Sequence, residues 1–212
     1  MIRIITLERE YGSGAAEIAK QLADRLGWTL WDREITCAIA KRLKCDVASV
    51  ECREEKPDPT FYRLMKVFMR GSYEDRYTGG GAVELLDAEH LSRLFGHVIT
   101  DVADRGPCVI VGRGAPWFLR ERDDAMHVFV FASYEEKLRR LLAQGTSHSE
   151  AEDRLERVDR DRAMFVKKFY DRTWPQRDLY HLMVNSIIGD DAVIDVLLHE
   201  MELLNRRNGS RP

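Results

Sequence analysis

Short continuous apolar runs alternate along the chain with longer segments in which apolar residues recur every three or four positions. Continuous runs are typical of strands buried on both faces, and the recurring pattern is typical of amphipathic helices. Strands separated by helices predict an α/β fold, with a parallel sheet covered by helices on both faces. The apolar runs occupy residues 2–7, 108–111, 126–131 and 182–184, with a shorter apolar segment at 28–31.

Helical spacing is clearest just after the first strand, where Ile18, Leu22 and Leu26 recur at intervals of four. Ser133 and Ser147 are each followed three residues later by glutamate, which is the spacing of a helix capping box. The last helix gives way to a polar tail from residue 205, which we expect to fray. Further predicted helices cover residues 35–43, 82–104, 133–142, 147–170 and 192–204.

Residues 47–81 are the least regular part of the sequence and include the triple glycine at 79–81. Within them, the run 61–68 is rich in aromatic residues and methionine. Its apolar residues have helical spacing, so it predicts a helix that packs in the core or at a dimer contact. A homodimer is therefore a plausible assembly, and a surface for another partner is the alternative.

The first strand leads directly into a glycine-rich turn that ends Gly12-Ser13-Gly14, and a helix begins at once. The first N–H groups of a helix have no partner within it, and glycine lets the backbone come close to a phosphate. The turn therefore predicts a P-loop-like site for an anion. A simple glycine connection between a strand and a helix is the alternative.

The residues that usually complete a P-loop are replaced here. The full motif reads G-x-x-x-x-G-K-[ST], with the lysine on the phosphates and the hydroxyl on magnesium. Ala15 takes the lysine position, Ala16 takes the hydroxyl position and Arg9 takes the first glycine position. We expect the Arg9 guanidinium to supply the missing cation. Glu17 is a candidate magnesium ligand, although an acidic residue in a first helical turn also interacts favourably with the helix dipole.

Composition restricts the class of protein. A chain of 212 residues with 44% hydrophobic and 33% charged residues suits one globular domain over residues 1–212. A net charge of −3 argues against a general nucleic-acid surface. No apolar run reaches the length of a membrane span, and residues 1–3 lead directly into a predicted strand, so we expect neither a membrane segment nor a signal peptide. The four cysteines lack metal-ligand spacing, so we expect reduced thiols and a cytoplasmic protein.

Several predicted strands end in glycine or polar residues. Asp32 follows the segment 28–31, Arg113 lies between two glycines after the strand 108–111, and Asn185 and Ser186 follow the last strand. The carboxyl ends of parallel strands share one edge of a sheet, and ligands bind at that edge. We therefore expect these residues to form one site together with the first glycine turn.

These segments together resemble the cytidylate kinase-like family, a branch of the P-loop nucleoside monophosphate kinases whose members usually lack the P-loop lysine. The similarity is spread over most of the chain and is weakest from residue 47 to about residue 91. Family members commonly have Gly-Arg where this chain has Ala15-Ala16. The matching motifs are TLEREYGSG at 6–14, WDRE at 31–34, VIVGRGA at 109–115, DRDRA at 159–163 and YHLMVN at 180–185.

The resemblance implies a three-layer α/β/α P-loop fold with a five-stranded parallel sheet. It also implies a monophosphate-binding flap at about residues 33–81 and a helical lid at about 145–170. The implied reaction transfers a phosphoryl group from ATP, with Mg²⁺, to CMP or dCMP. Positioning and positive charge supply most of the rate of such a transfer, so arginines become the residues of interest.

The resemblance also implies site residues. The donor phosphates would lie on the first glycine turn, with Arg9 in place of the lysine. Arg113 would hold the acceptor phosphate, and Arg162 with Asp159 would act from the lid. Asp32 is either a helix N-cap or a group near the acceptor, and Arg33 is a second candidate phosphate contact. The donor-binding set is Gly12, Ser13, Gly14, Ala15 and Ala16.

Two other functions stay open. Ala15 and Ala16 favour a nucleotide-binding or regulatory protein that keeps the fold and has little or no kinase activity. A kinase for another small acceptor is the other alternative, because the flap that would select the acceptor is the part that matches the family least.

Overall fold

The sheet has five strands, and β1 lies at its centre. In the computed structural model, which describes residues 1–32, 35 and 88–209, the order across the sheet is β2-β3-β1-β4-β5 and all paired strands are parallel. This confirms the predicted α/β fold and the five-stranded parallel sheet. The strands are β1 (Ile4–Arg9), β2 (Thr29–Trp31), β3 (Cys108–Val111), β4 (Ala125–Phe131) and β5 (Leu182–Asn185).

The described helices follow the predicted ones closely. The hydroxyl of Ser133 accepts the Glu136 N–H at 3.3 Å, and that of Ser147 accepts the Glu150 N–H at 3.4 Å, so both predicted caps are confirmed. One short helix, α3, was not predicted because it is too short to show a period. The helices are α1 (Ala15–Leu26), α2 (Ala88–Asp104), α3 (Ala115–Phe118), α4 (Tyr134–Ala143), α5 (His148–Tyr170) and α6 (Asp190–Gly209), with 3₁₀ turns at Arg177–Leu179 and Ser186–Ile188.

Some predictions lie outside the described residues. They include the flap at 33–81 apart from Ile35, the helix at 35–43, the run 61–68 and the contact assigned to Arg33.

The prediction of a frayed tail from residue 205 is wrong for residues 205–209, which continue α6. Two side chains tie this end of the helix to the sheet. The Asn205 carboxamide oxygen accepts the N–H of Ile2, and the Asn208 amide donates to the carbonyl of Asp123 at 2.9 Å. A polar composition alone does not reveal such long-range contacts.

Apolar side chains cover both faces of the sheet, as a parallel sheet requires. On one face, Ile4 packs with Phe95 of α2 and Phe165 of α5. On the other face, Ile5 packs with Leu22 of α1 and with apolar residues of α6. The two layers fix the positions of the strand ends, where the candidate site lies. None of the helices in the described part of the chain is long and apolar enough to cross a membrane.

A buried histidine in the sheet makes stability depend on pH. His127 is 2% exposed, its Nδ1 lies 2.7 Å from the Thr6 hydroxyl, and its main-chain N–H donates to His181 Nδ1 at 2.9 Å. Burial, and secondarily the charge of His181, lower the pKa of His127 to about 4. The imidazole is therefore neutral in the folded protein at pH 6.

We expect acid to destabilise the fold through His127. The unfolded chain takes up a proton near pH 6.5 and the folded chain does so only near pH 4. The free energy of unfolding is thus highest above pH 6.5 and falls by about 3 kcal/mol as the pH drops through this window. Urea unfolding at pH 7 and pH 5 measures the effect. His127→Asn, which cannot titrate, should show a distinctly smaller loss between the two pH values, and an equal loss in both proteins would contradict this assignment.

Candidate functional site

The glycine-rich turn between β1 and α1 is held in one shape by its own hydrogen bonds. Gly12 and Gly14 have φ angles of 76° and 79°, a region that favours glycine. The Ser13 hydroxyl donates to the carbonyl of Glu10 at 2.8 Å. From the end of β5, the Ser186 hydroxyl donates to the Ser13 carbonyl at 2.6 Å. The expected convergence of the first turn with Ser186 is therefore present.

The main-chain N–H groups of this turn point to an anion site. Four of these N–H groups have no hydrogen-bond partner within the described part of the chain, namely those of Gly12, Gly14, Ala15 and Ala16. No side chain caps α1. Unpaired amides at a helix N-terminus, together with the helix dipole, bind phosphate groups. We refer to residues 10–16 as the donor loop.

A wide cleft opens above the donor loop, and arginines dominate its walls. Its ionisable lining residues in the described structure are Arg9, Arg139, Arg140, Arg154 and Arg162, with Glu10, Glu17 and Asp190. The side chain of Arg154 comes from α5 and approaches the Tyr11 hydroxyl at 3.5 Å. Tyr11 itself packs on Leu155 and Val158, so the predicted lid helix lies directly against the donor loop.

Arg140 is a site residue that sequence analysis missed. Its guanidinium lies so close to Gly14 that a Cβ there would be 1.7 Å from Nη1. It donates to Asp190 at 3.1 Å, to the Ser186 carbonyl at 3.2 Å and to Glu136 at 2.8 Å. A glutamate and an arginine four residues apart are also typical of a surface ion pair, so spacing alone gave no signal.

We expect Gly14→Ala to weaken ATP binding by tenfold or more. The new methyl group would displace the Arg140 guanidinium and would also force alanine into a left-handed conformation, which costs about 1–2 kcal/mol. Gly27→Ala is the matched control, because Gly27 has φ 65° and open space at its Cβ. Both variants should lose stability, but only Gly14→Ala should lose ATP affinity in a calorimetric titration. Equal affinities for the two variants would contradict the role of this contact.

Arg9, the last residue of β1, lies between the donor loop and the end of β3. It is 6% exposed, and a Cβ at Gly112 would be 2.1 Å from its Nη1. Burial, and secondarily the charge of Arg162, lower the pKa of Arg9 to about 10, so it stays cationic at neutral pH. The structure thus places Arg9 in the cleft, as predicted, with its guanidinium against Gly112 in the turn after β3.

Arg113 occupies an unusual turn after β3. It has φ 62° between Gly112 and Gly114, which is a strained conformation for a side chain with a Cβ. Its guanidinium is buried and lies 3.7 Å from the Asp32 carboxylate. Burial lowers the pKa of Arg113, whereas Asp32 opposes that shift. Asp32 and Arg113 therefore lie together at one edge of the sheet, as predicted.

Glu8 binds the backbone of the turn after β3 and is a second residue whose role the sequence did not show. Its carboxylate accepts the N–H of Gly114 at 3.2 Å and the indole N–H of Trp174 at 3.3 Å. The apolar run at residues 2–7 ends before Glu8, but Glu8 belongs to β1 and is 8% exposed. It therefore positions the backbone that carries Arg113.

Asp159 and Arg162 lie on one face of α5, as their spacing predicts. Asp159 accepts the N–H of Tyr11 with both oxygens, at 2.9 and 3.1 Å, and binds Arg162 at 2.9 Å. Burial raises the pKa of Asp159, and Arg162 opposes that shift. Arg162 also donates to the carbonyl of Arg9 at 3.1 Å. Asp159 thus ties the donor loop to α5, and Arg162 reaches the cleft beside Arg9.

Three guanidinium groups therefore meet between the donor loop and the β3 turn. Burial lowers the pKa of Arg9, and repulsion by Arg162 and Arg113 lowers it further, whereas Asp32 and Glu8 oppose that shift. An anion bound between them would relieve this repulsion and make charge-assisted hydrogen bonds. The described residues thus place two candidate anion sites next to one another: the donor loop and an arginine cluster of Arg9, Arg113 and Arg162.

The described side chains at and beside the donor loop do not form a site for a magnesium ion. Ala16 has no hydroxyl to offer. Glu17 is exposed, and its carboxylate accepts the Gln21 side chain at 2.9 Å on the surface of α1. Nowhere do the described residues bring together three His, Cys, Asp or Glu side chains that could hold a metal ion. The prediction that Glu17 binds magnesium therefore gains no support from its neighbours.

Comparison with known proteins agrees with this architecture. The model of the cytidylate kinase-like family matches residues 4–187. No curated protein matches the sequence. Among solved structures, an uncharacterized protein from Eubacterium ventriosum ATCC 27560 has a TM-score of 0.66 at 18% identity, and the match covers 95% of this chain and 99% of that one.

Two kinases of small molecules share the fold at lower similarity. Shikimate kinase from Bacteroides thetaiotaomicron has a TM-score of 0.53 at 17% identity, covering 95% of this chain and 99% of that chain. A gluconokinase from Sinorhizobium meliloti 1021 has a TM-score of 0.53 at 14% identity, covering 98% of this chain and 97% of that chain. These similarities confirm the P-loop kinase fold.

Proposed function

Because the chain belongs to the cytidylate kinase-like family, we propose that it is a phosphotransferase that moves the γ-phosphoryl group of ATP to the phosphate of a nucleoside monophosphate. CMP or dCMP is the proposed acceptor. The donor loop would bind the ATP phosphates through its main-chain N–H groups. The base preference follows from the family alone, since the flap that would select a base lies outside the described residues.

The observation that supports this function most strongly is the arginine cluster beside the donor loop. Arg113 is 4% exposed and Arg9 is 6% exposed, so their charges are largely removed from water. Burying charge in this way is costly unless opposite charge lies nearby, and the carboxylates of Asp32 and Glu8 supply part of it. A phosphate on the acceptor would add further negative charge and charge-assisted hydrogen bonds to these guanidinium groups.

The proposed reaction needs positioning and charge rather than proton transfer from the protein. The acceptor phosphate is already an anionic nucleophile, so no general base is required. Arg113 would hold that phosphate. Arg9 and Arg162 would stabilise the charge on the phosphoryl group as it moves between the two sites. Asp159 would act as a positioning residue, because it binds the donor-loop N–H of Tyr11 and orients Arg162.

A panel of acceptors tests this proposal. ADP release is measured with ATP and CMP, dCMP, UMP, AMP or GMP, and in parallel with shikimate and gluconate, each with and without added Mg²⁺. We expect turnover with CMP or dCMP and none with the two hydroxyl acceptors. Turnover with a hydroxyl acceptor alone would replace the proposal with a kinase of a small metabolite.

The second candidate is a nucleotide-binding protein without efficient transfer. Ala15 and Ala16 favour it, because they remove the two side chains with which a P-loop usually contacts the β/γ phosphates and the metal. In that case ATP would raise the melting temperature of the protein, but no ADP would be formed with any acceptor in the panel.

A further inference from the structure

The donor cleft combines many guanidinium groups with a loop that offers no metal ligand. We propose that the cleft binds the donor polyphosphate as the free anion, with arginines rather than a protein-held Mg²⁺ neutralising its charge. This inference rests on the proposed function, since it concerns the same donor. It differs from the usual P-loop arrangement, in which a hydroxyl binds the magnesium that accompanies the nucleotide.

Each carboxylate that lines the described cleft is already bonded to another side chain. Glu10 binds Lys137 at 3.0 Å, and Asp190 binds Arg140 at 3.1 Å. Glu17 binds the Gln21 amide at 2.9 Å and is exposed on α1. Magnesium is usually bound through one or two carboxylates together with substrate phosphates. Here each of these carboxylates would share its negative charge between the ion and the partner that it already binds.

The guanidinium groups of the cleft are also paired, but they outnumber its carboxylates. Acidic side chains bind Arg139, Arg140, Arg154 and Arg162. Five arginines line the described cleft against three carboxylates. Arg140 is fixed across Gly14 by Asp190, Glu136 and the Ser186 carbonyl, so its position does not depend on the ligand. Arg162 is fixed by Asp159 and the Arg9 carbonyl. Guanidinium groups held in place in this way offer a phosphate fixed positive charge and their remaining N–H donors at little cost in side-chain entropy.

Charge then decides which form of ATP binds more tightly. Magnesium removes two negative charges from the nucleotide and so weakens its attraction to fixed cations. At a usual P-loop, the hydroxyl ligand compensates for this loss, but Ala16 cannot. We therefore expect free ATP to bind as tightly as MgATP or up to about threefold more tightly at constant ionic strength.

Calorimetric titration of the full chain tests the inference. ATP is titrated in EDTA and again with excess Mg²⁺, with the ionic strength held equal. Affinity for ATP in EDTA that equals or exceeds the affinity for MgATP supports the proposal. A tenfold gain on adding Mg²⁺ would overturn it and leave the donor site intact. Absence of binding under both conditions would overturn both this inference and the proposed function.

A pair of variants on α5 supplies a second measurement. Arg154 lines the cleft, whereas Arg157 lies on the same helix, is exposed and pairs with Asp153 at 3.2 Å. We expect Arg154→Met to weaken free ATP about fivefold and MgATP about twofold, because the more highly charged ligand loses more Coulomb energy. Arg157→Met should change neither affinity. An equal loss for both ligands in Arg154→Met, or a loss in Arg157→Met as large as that in Arg154→Met, would contradict the proposal.

Discussion

Arg113→Met should lower kcat/KM for the phosphorylated acceptor by about a thousandfold, as expected when a charged hydrogen-bond donor is removed from the reacting phosphate. Affinity for ATP should change little, because the donor loop lies on the other side of Arg9. Steady-state kinetics with varied acceptor and a separate ATP titration measure the two effects.

Controls for this variant must separate catalysis from folding. Removing Arg113 leaves the buried Asp32 without the guanidinium 3.7 Å away, which destabilises the fold. Arg113→Met combined with Asp32→Asn removes that unpaired charge and should restore the melting temperature without restoring turnover. Arg120→Met is the matched control, because Arg120 is exposed and stacks on Trp117. Undiminished kcat/KM in the folded double variant would contradict the role of Arg113.

Arg9→Met should reduce phosphoryl transfer by about a thousandfold or more, the range measured when an arginine that stabilises a transferring phosphoryl group is absent. Arg9 belongs to both anion sites, since it lines the donor cleft and reaches Gly112 after β3. Its loss should therefore weaken ATP binding as well as lower kcat.

Arg9→Lys distinguishes charge from geometry. Lysine keeps the charge but cannot bind two phosphate oxygens with a planar fork, so we expect only partial rescue of kcat. Arg25→Met serves as the control, since Arg25 lies at the far end of α1 and pairs with Asp195 at 2.9 Å. Full activity in Arg9→Met would show that a cation other than Arg9 takes the role of the missing P-loop lysine. Arg140 would then be the first candidate, because its guanidinium lies against Gly14.

The sequence was sufficient to predict the sheet and its active edge, because both depend on local patterns. Continuous apolar runs identified the strands, and the strand ends placed Asp32 beside Arg113, as observed. Asp159 and Arg162 were expected on one helix face, and their ion pair at 2.9 Å confirms it.

The remaining features of the site depend on contacts between distant parts of the chain. Arg140 comes from α4, and only the packing of α4 against the donor loop brings it to Gly14. β1 extends beyond its apolar run to include Glu8, and the Gly114 N–H that Glu8 accepts lies 106 residues away in the sequence. Side-chain direction at the end of a strand, as for Arg9, cannot be derived from spacing alone.

We expect the main-chain N–H groups of the donor loop, assisted by Arg9, to bind a polyphosphate although alanines replace the lysine and the hydroxyl. Amide NMR of the ¹⁵N-labelled chain during ATP titration tests it directly, with adenosine as the control that lacks phosphates. We expect large, saturable shifts of the Gly12, Gly14, Ala15 and Ala16 amides with ATP and none with adenosine. Unchanged resonances of these four amides at high ATP concentration would contradict the claim.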